Sequence, residues 1–149
     1  MEESLSIVQE MFPMNEAKLR TYSALSFAYI GDAVYELIIR TVITSRGNMK
    51  PNKYHQHVIE YVNARGQVRI MEKIRPHLTE EENVIFRRGK NAKPPTCAKN
   101  QSLHDYHIAT GFEALVGYLY LGGQMRRLME LLDIGLQEEE VCHTKKIQS

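Results

Sequence analysis

Apolar residues recur along this chain at helical spacing, and no stretch of strand length alternates between apolar and polar positions. Leu5, Ile7, Val8, Met11 and Phe12 predict a short first helix halted near Pro13. A long helix is expected over about 19–46, stopped by Gly47 and Asn48. Pro51 suits the first turn of a helix reaching about residue 64, with Tyr54, Val58 and Tyr61 or Val62 on one stripe. Val68, Ile70, Met71 and Ile74 predict another over 65–75, ended by Pro76. Thr79 followed by Glu82 reads as a capping box, opening a helix to about residue 88. Residues 89–100 hold Pro94 and Pro95 side by side and are expected as a loop. Ser102 with Asp105 opens the next helix, which runs to Leu121 and stops at Gly122 and Gly123. Met125, Leu128, Leu131, Leu132 and Leu136 give a last amphipathic helix over about 124–139, with 142–149 expected as a frayed, disordered tail. The expectation is an all-α fold of about seven helices, a single domain over 1–141.

At 149 residues the chain can bury a core without staples. Cys97 and Cys142 are too few and too far apart for a zinc site or a disulfide framework, so a reducing, cytoplasmic setting is expected. The acidic start, Met1 to Ile7, lacks the basic and apolar regions of a secretory signal. The run over 24–43 is long enough to raise a membrane span. However, Asp32, Glu36 and Arg40 would each cost roughly 2.5–3.5 kcal/mol at mid-bilayer, so it reads as buried core and no membrane is expected.

Two apolar helices each carry one central acid. In the stretch 24–39 the run is broken by Gly31, Asp32 and Glu36; in 108–121 Glu113 is the sole carboxylate. A carboxylate in such surroundings loses hydration and must be paired, protonated or bound to a cation. One such acid alone is more often a buried salt-bridge partner than a metal ligand. Two alter the balance, because if the helices pack together a shared hard divalent cation, magnesium above all, satisfies both. Ala28, Gly31 and Ala33 beside Asp32, and Ala109, Ala114 and Gly117 beside Glu113, permit close approach, although they also serve ordinary packing. Glu36 lies one turn after Asp32 and is a third possible ligand, against the simpler reading that it pairs with Arg40. Asp105 is accounted for by its capping position.

Net charge is only +1, so overall balance does not announce a nucleic-acid binder. Distribution says more. Arg87, Arg88, Lys90, Lys93 and Lys99 fall together with no acid among them, immediately before the helix of Glu113. Basic loops usually mean only solubility, but five cations beside a divalent-metal site would hold a polyanion. His55, His57, His77, His104, His107 and His143 form no metal-ligand spacing, and no glycine-rich phosphate loop is present.

These motifs carry a resemblance. The segment TyrIleGlyAspAlaValTyrGlu at 29–36 resembles the signature helix of ribonuclease III domains, and PheGluAlaLeuValGlyTyrLeuTyrLeu at 112–121 resembles their second acidic helix. With ArgArgGlyLysAsnAlaLys at 87–93 and no room for a double-stranded-RNA-binding domain, the chain is similar to the Mini-ribonuclease III family. That resemblance implies a homodimeric, magnesium-dependent endoribonuclease that cuts double-stranded RNA to 5′-phosphate and 3′-hydroxyl ends, with the stem of precursor large-subunit ribosomal RNA as substrate. It implies Asp32 and Glu113 as catalytic, metal-holding residues, the five cations as RNA-binding, and Tyr29 with Ile30 at the dimer seam. The full-length family carries acids where this chain has Leu25, Ala28 and Thr110. Only Asp32 and Glu113 therefore carry over, and a non-catalytic RNA-binding or ribosome-assembly factor on the same fold is the alternative.

Overall fold

The computed structural model describes residues 3–92 and 102–148, with side chains over 5–92 and 102–136. Among the described residues the chain is all-α. Its helices are α1 (Glu3–Met11), α2 (Glu16–Arg20), α3 (Ala24–Ser45), α4 (Pro51–Val62), α5 (Ala64–Ile74), α6 (Glu80–Asn91), α7 (Leu103–Leu121) and α8 (Met125–Gln148), with one 3₁₀ turn at Arg75–His77.

Local capping chemistry sets most boundaries. Asn15, Ser23, Asn63, Thr79 and Ser102 each accept a backbone N–H of the following first turn. Thr79 and Glu82 form the expected reciprocal capping box. Three boundaries depart from expectation. Asn15 and Ser23 both cap, so the region read as one helix from 19 is a short α2 followed by a fresh start at Ala24. Helix α6 does not stop before Gly89 but carries Arg87, Arg88, Gly89 and Lys90 to Asn91, so these cations sit on a helix rather than a loop. The last helix runs on to Gln148 instead of ending near residue 139. Lys93, Lys99 and the two adjacent prolines lie outside the described residues.

Helix α7 is the centre of the molecule. Eleven of its residues are buried, from Ile108 to Tyr120, and α3, α5, α6 and α8 pack around it. A helix apolar on all sides is stable only when surrounded. Tyr35 of α3 is fully buried, meets Phe112 edge to face at 4.9 Å between ring centres, and donates its hydroxyl to the Tyr61 carbonyl at 2.7 Å. Between α3 and α7 the backbones touch. A Cβ added at Gly31 would lie 1.8 Å from the Glu113 carbonyl oxygen, and one at Gly117 would lie 1.9 Å from that of Phe27. Gly89 plays the same part between α6 and α7, where a Cβ would come within 2.7 Å of the Ala114 Cβ. It is a packing glycine in the last turn of the helix.

Because the atoms facing Gly31 are backbone and cannot swing aside, Gly31→Ala must push α3 off α7. Chemical denaturation of this variant is expected to show a stability loss at or above the top of the ordinary overpacking range, about 3 kcal/mol. Thr44→Ser, at an exposed position of the same helix, is expected to change stability by less than about 0.5 kcal/mol.

Candidate active site

The contact at Gly31 has an immediate consequence for its neighbour. Asp32 follows Gly31 on α3, and Glu113 is the residue of α7 whose backbone Gly31 touches, so both carboxylates come to the same edge of the helix pair. They line one open depression of about 620 Å³ together with Leu25, Ala28, Tyr29, Ile30, Ala33, Tyr106, Thr110 and Glu113's own helix face. Three of these positions, Leu25, Ala28 and Thr110, are where the sequence pattern lacks further acids. Alanine and leucine leave space without charge, and the Thr110 hydroxyl is committed to the Tyr106 carbonyl at 2.9 Å.

The electrostatics are those of an uncompensated acid pair. Burial, and then the charge of Asp32, push the Glu113 carboxyl up to about 7, opposed by a hydrogen bond from the Gln67 side chain. Asp32 opens on solvent at the rim. Partial desolvation by the surrounding walls, followed by the charge of Glu36, raises its pKa as well. Neither acid has a salt-bridge partner among the described residues. Glu36 has one: Arg40 lies 3.2 Å away, one turn on, which is the simpler of its two expected roles. Among the described residues no group of three or more His, Cys, Asp or Glu side chains gathers as a ready-made metal cage. Two hard oxygen donors that repel one another and lack a cation fit an ion such as magnesium, which keeps most of its waters and takes only one or two carboxylates.

The other expected site residues fall in two places. Arg87 and Arg88 are exposed and line a second hollow, of about 670 Å³, with Ser23, Ala24, Val84, Asn91 and Ala92, while Lys90 is half-buried. Arg88 also donates to the Tyr22 carbonyl at 3.0 Å. This basic face sits at the start of α3, eight residues before Asp32, or about 12 Å along the helix axis. Of the two residues expected at a dimer seam, Tyr29 is 84% exposed, whereas Ile30 is half-buried against the core.

One residue at the site was not anticipated. Gln67 of α5 is buried, donates to the Val62 carbonyl at 3.1 Å and opposes the rise of the Glu113 pKa. Its signal in the sequence was a polar residue on the face that otherwise carries Gly66, Ile70, Met71 and Ile74.

Comparison with known proteins places this arrangement. Residues 25–124 match the ribonuclease III domain family. The chain is 46% identical over 113 residues to the Mini-ribonuclease 3 of Enterococcus faecalis, covering 74% of this chain and 86% of that protein. It is 44% identical over 119 residues to that of Symbiobacterium thermophilum, covering 80% and 92%. A crystal structure of a Fusobacterium nucleatum protein superposes with a TM-score of 0.73 at 33% identity, over 79% of this chain and 96% of that one.

The raised pKa of Glu113 makes a signed prediction for the metal-free protein. An acid whose folded pKa exceeds its unfolded value stabilises the fold while protonated, and that contribution is lost as pH rises from about 4.5 through about 7. Glu113→Gln should abolish this loss. Denaturation in chelator is expected to find the variant more stable than wild type at pH 8, by up to about 3 kcal/mol at about 1.4 kcal/mol per pH unit, and the two alike or reversed at pH 4.5.

Proposed function

This chain belongs to the ribonuclease III domain family, as a member of its Mini-ribonuclease 3 group, and is an endoribonuclease; we propose that it cuts double-stranded RNA with magnesium held by Asp32 and Glu113, leaving 5′-phosphate and 3′-hydroxyl ends. The observation that carries this reading is the pair itself. Two carboxylates from different helices line one solvent-open depression, both with raised pKa, Glu113 in part through the charge of Asp32, and have no cation partner among the described residues. When bound, magnesium supplies Lewis-acid chemistry, neutralising charge that develops on the scissile phosphate and the departing 3′ oxygen. Asp32 at the rim and Glu113 further in would hold it from two sides. Glu36, paired with Arg40, would contribute charge rather than a bond.

Arg87 and Arg88 at the start of α3, with Lys90, Lys93 and Lys99, would take the RNA backbone, reading A-form shape, phosphates and 2′-hydroxyls rather than bases. The family relationship supports the stem of precursor large-subunit (23S) ribosomal RNA as substrate, and with it a cytoplasmic location. No described helix is long and apolar enough to cross a membrane. One depression reaches one strand, so cutting both strands of a duplex takes two. A homodimer would supply them, and the exposed face of α3 offers the seam: Leu25, Tyr29, Ala33 and Leu37 recur every four residues from the edge of the depression, with Leu37 half-exposed.

Asp32→Asn and Glu113→Gln are each expected to lower duplex cleavage at least a thousand-fold with duplex affinity within about twofold of wild type, since each keeps shape and removes the charge that holds the ion. Glu36→Gln should cost no more than about tenfold. Incubation of duplex RNA with the purified protein, with and without magnesium, followed by end mapping, is the direct measurement. Wild-type turnover by Glu113→Gln at saturating magnesium would refute the ligand assignment.

Tyr29→Glu is expected to give monomers by light scattering at micromolar concentration and to remove paired cuts on duplex RNA. A wild-type monomer that still cuts both strands would sink the dimer.

A further inference from the structure

A cleft of about 510 Å³ lies between α2, α6 and the end of α7, and the acid pair makes no use of it. Buried Leu19, Phe27 and Ile85 form its floor. Val84, 41% exposed, and half-buried Tyr118 line it above them. The Tyr118 ring is held in place: it meets Phe27 edge to face at 5.7 Å between ring centres, and its hydroxyl donates to Glu81 Oε1 at 2.5 Å. Arg20 and Arg88, both exposed, stand at the rim. Arg88 spends one N–H of its guanidinium, which carries five, on the Tyr22 carbonyl at 3.0 Å. Fixed aromatic and aliphatic walls below two cations suit a ligand that is flat and apolar on its faces and anionic at one end. A nucleotide has that form, and the volume falls within the roughly 300–1,000 Å³ of small-ligand sites.

Its neighbour decides where that nucleotide comes from. Val84 and Arg88 line both this cleft and the basic hollow that holds Arg87. A strand whose phosphates lie on Arg87 and Arg88 therefore passes the mouth of the cleft. A paired base stays in its stack, whereas an unpaired one is free to swing out and rest on aromatic and guanidinium planes. We propose that the cleft takes a single unpaired nucleotide of the RNA, a bulge in an otherwise paired stem. The inference rests on the reading of Arg87 and Arg88 as contacts to the RNA backbone. A base seated here fixes the register of the duplex on α3, and with it which phosphate comes to Asp32 and Glu113.

Two duplexes of one sequence, one fully paired and one carrying a single extra adenosine, are titrated with the protein in chelator, where no cleavage intervenes. The bulged duplex is expected to bind at least about fivefold more tightly, the lower end of what stacking one base contributes. Gln124→Trp, at an exposed position on the cleft, blocks the entrance, and Arg20→Gln removes a rim cation. Each is expected to bring the bulged duplex to the affinity of the paired one, with paired-duplex affinity within about twofold of wild type. Circular dichroism checks that both variants are folded, and one folded variant suffices. Equal affinity of the wild type for the two duplexes overturns the proposal, as does a preference that survives in the folded variants. Binding of neither duplex refutes the reading of Arg87 and Arg88, and the proposal with it. Calorimetry with adenosine 5′-monophosphate tests the other source: if the free nucleotide binds while the bulge brings no gain, the cleft is a small-molecule site and the strand assignment falls.

Discussion

Between α3 and α7 there is no room for a side chain at two points, Gly31 against the Glu113 carbonyl and Gly117 against that of Phe27. These backbone contacts hold the helices closer than any pair of larger residues would permit. They also decide what the site can be. With Gly31 seated on the backbone at Glu113, the next residue of α3 is carried to the lip of the same groove, and Asp32 has no other place to be. The packing of aromatic and aliphatic side chains around α7, from Tyr35 and Phe112 to Leu131 and Leu132, secures this approach.

That geometry brings like charges together and withdraws water from both, most of all from Glu113. The result is a site under electrostatic load, in which Glu113 titrates near neutrality rather than near 4.5. A protein optimised only for stability would replace the pair with an amide or an alkyl group. The repulsion is of the kind that a bound cation would offset. Elsewhere in the chain buried charge is treated differently. Glu82, 4% exposed, accepts two hydrogen bonds from Arg127 and one from the Thr79 backbone, which hold its carboxyl below the usual range. The contrast between a fully answered acid and an unanswered pair distinguishes scaffold from site.

The surface around the depression is organised along α3. Its first turn lies beside the arginines of α6, its second and third turns carry Asp32 at the lip, and its outward stripe of Leu25, Tyr29, Ala33 and Leu37 faces away from the core. The arginines of α6, the Asp32 carboxylate and an outward apolar stripe thus follow one another along a single helix. Its inner side meanwhile supplies Phe27, Val34, Tyr35, Ile38 and Ile39 to the interior.

Much of this was legible in the residues alone, because the features concerned are local. Caps at Thr79 and Ser102, the prolines at 51 and 76, and the helical spacing of apolar positions act within three or four residues, and the helices they announce are there. The two acid-bearing helices, each flanked by small residues, announced a close approach, and the Glu36–Arg40 pair followed from its one-turn spacing. Other features depend on neighbours distant in the chain. Residues from Gly89 on were expected as a loop because Pro94 and Pro95 follow, yet α7 presses on Gly89 and the helix continues to Asn91. Ile30 looked as exposed as Tyr29 until the core on its other side was present. Gln67 was an anonymous polar residue until α5 packed on α7 and buried it, near enough to act on the Glu113 pKa. The chain by itself determined which helices form and which residues have the chemistry. Only the tertiary structure decided which of those residues meet, since a hydrogen bond or a backbone contact between segments depends on where the intervening chain returns and not on what it contains.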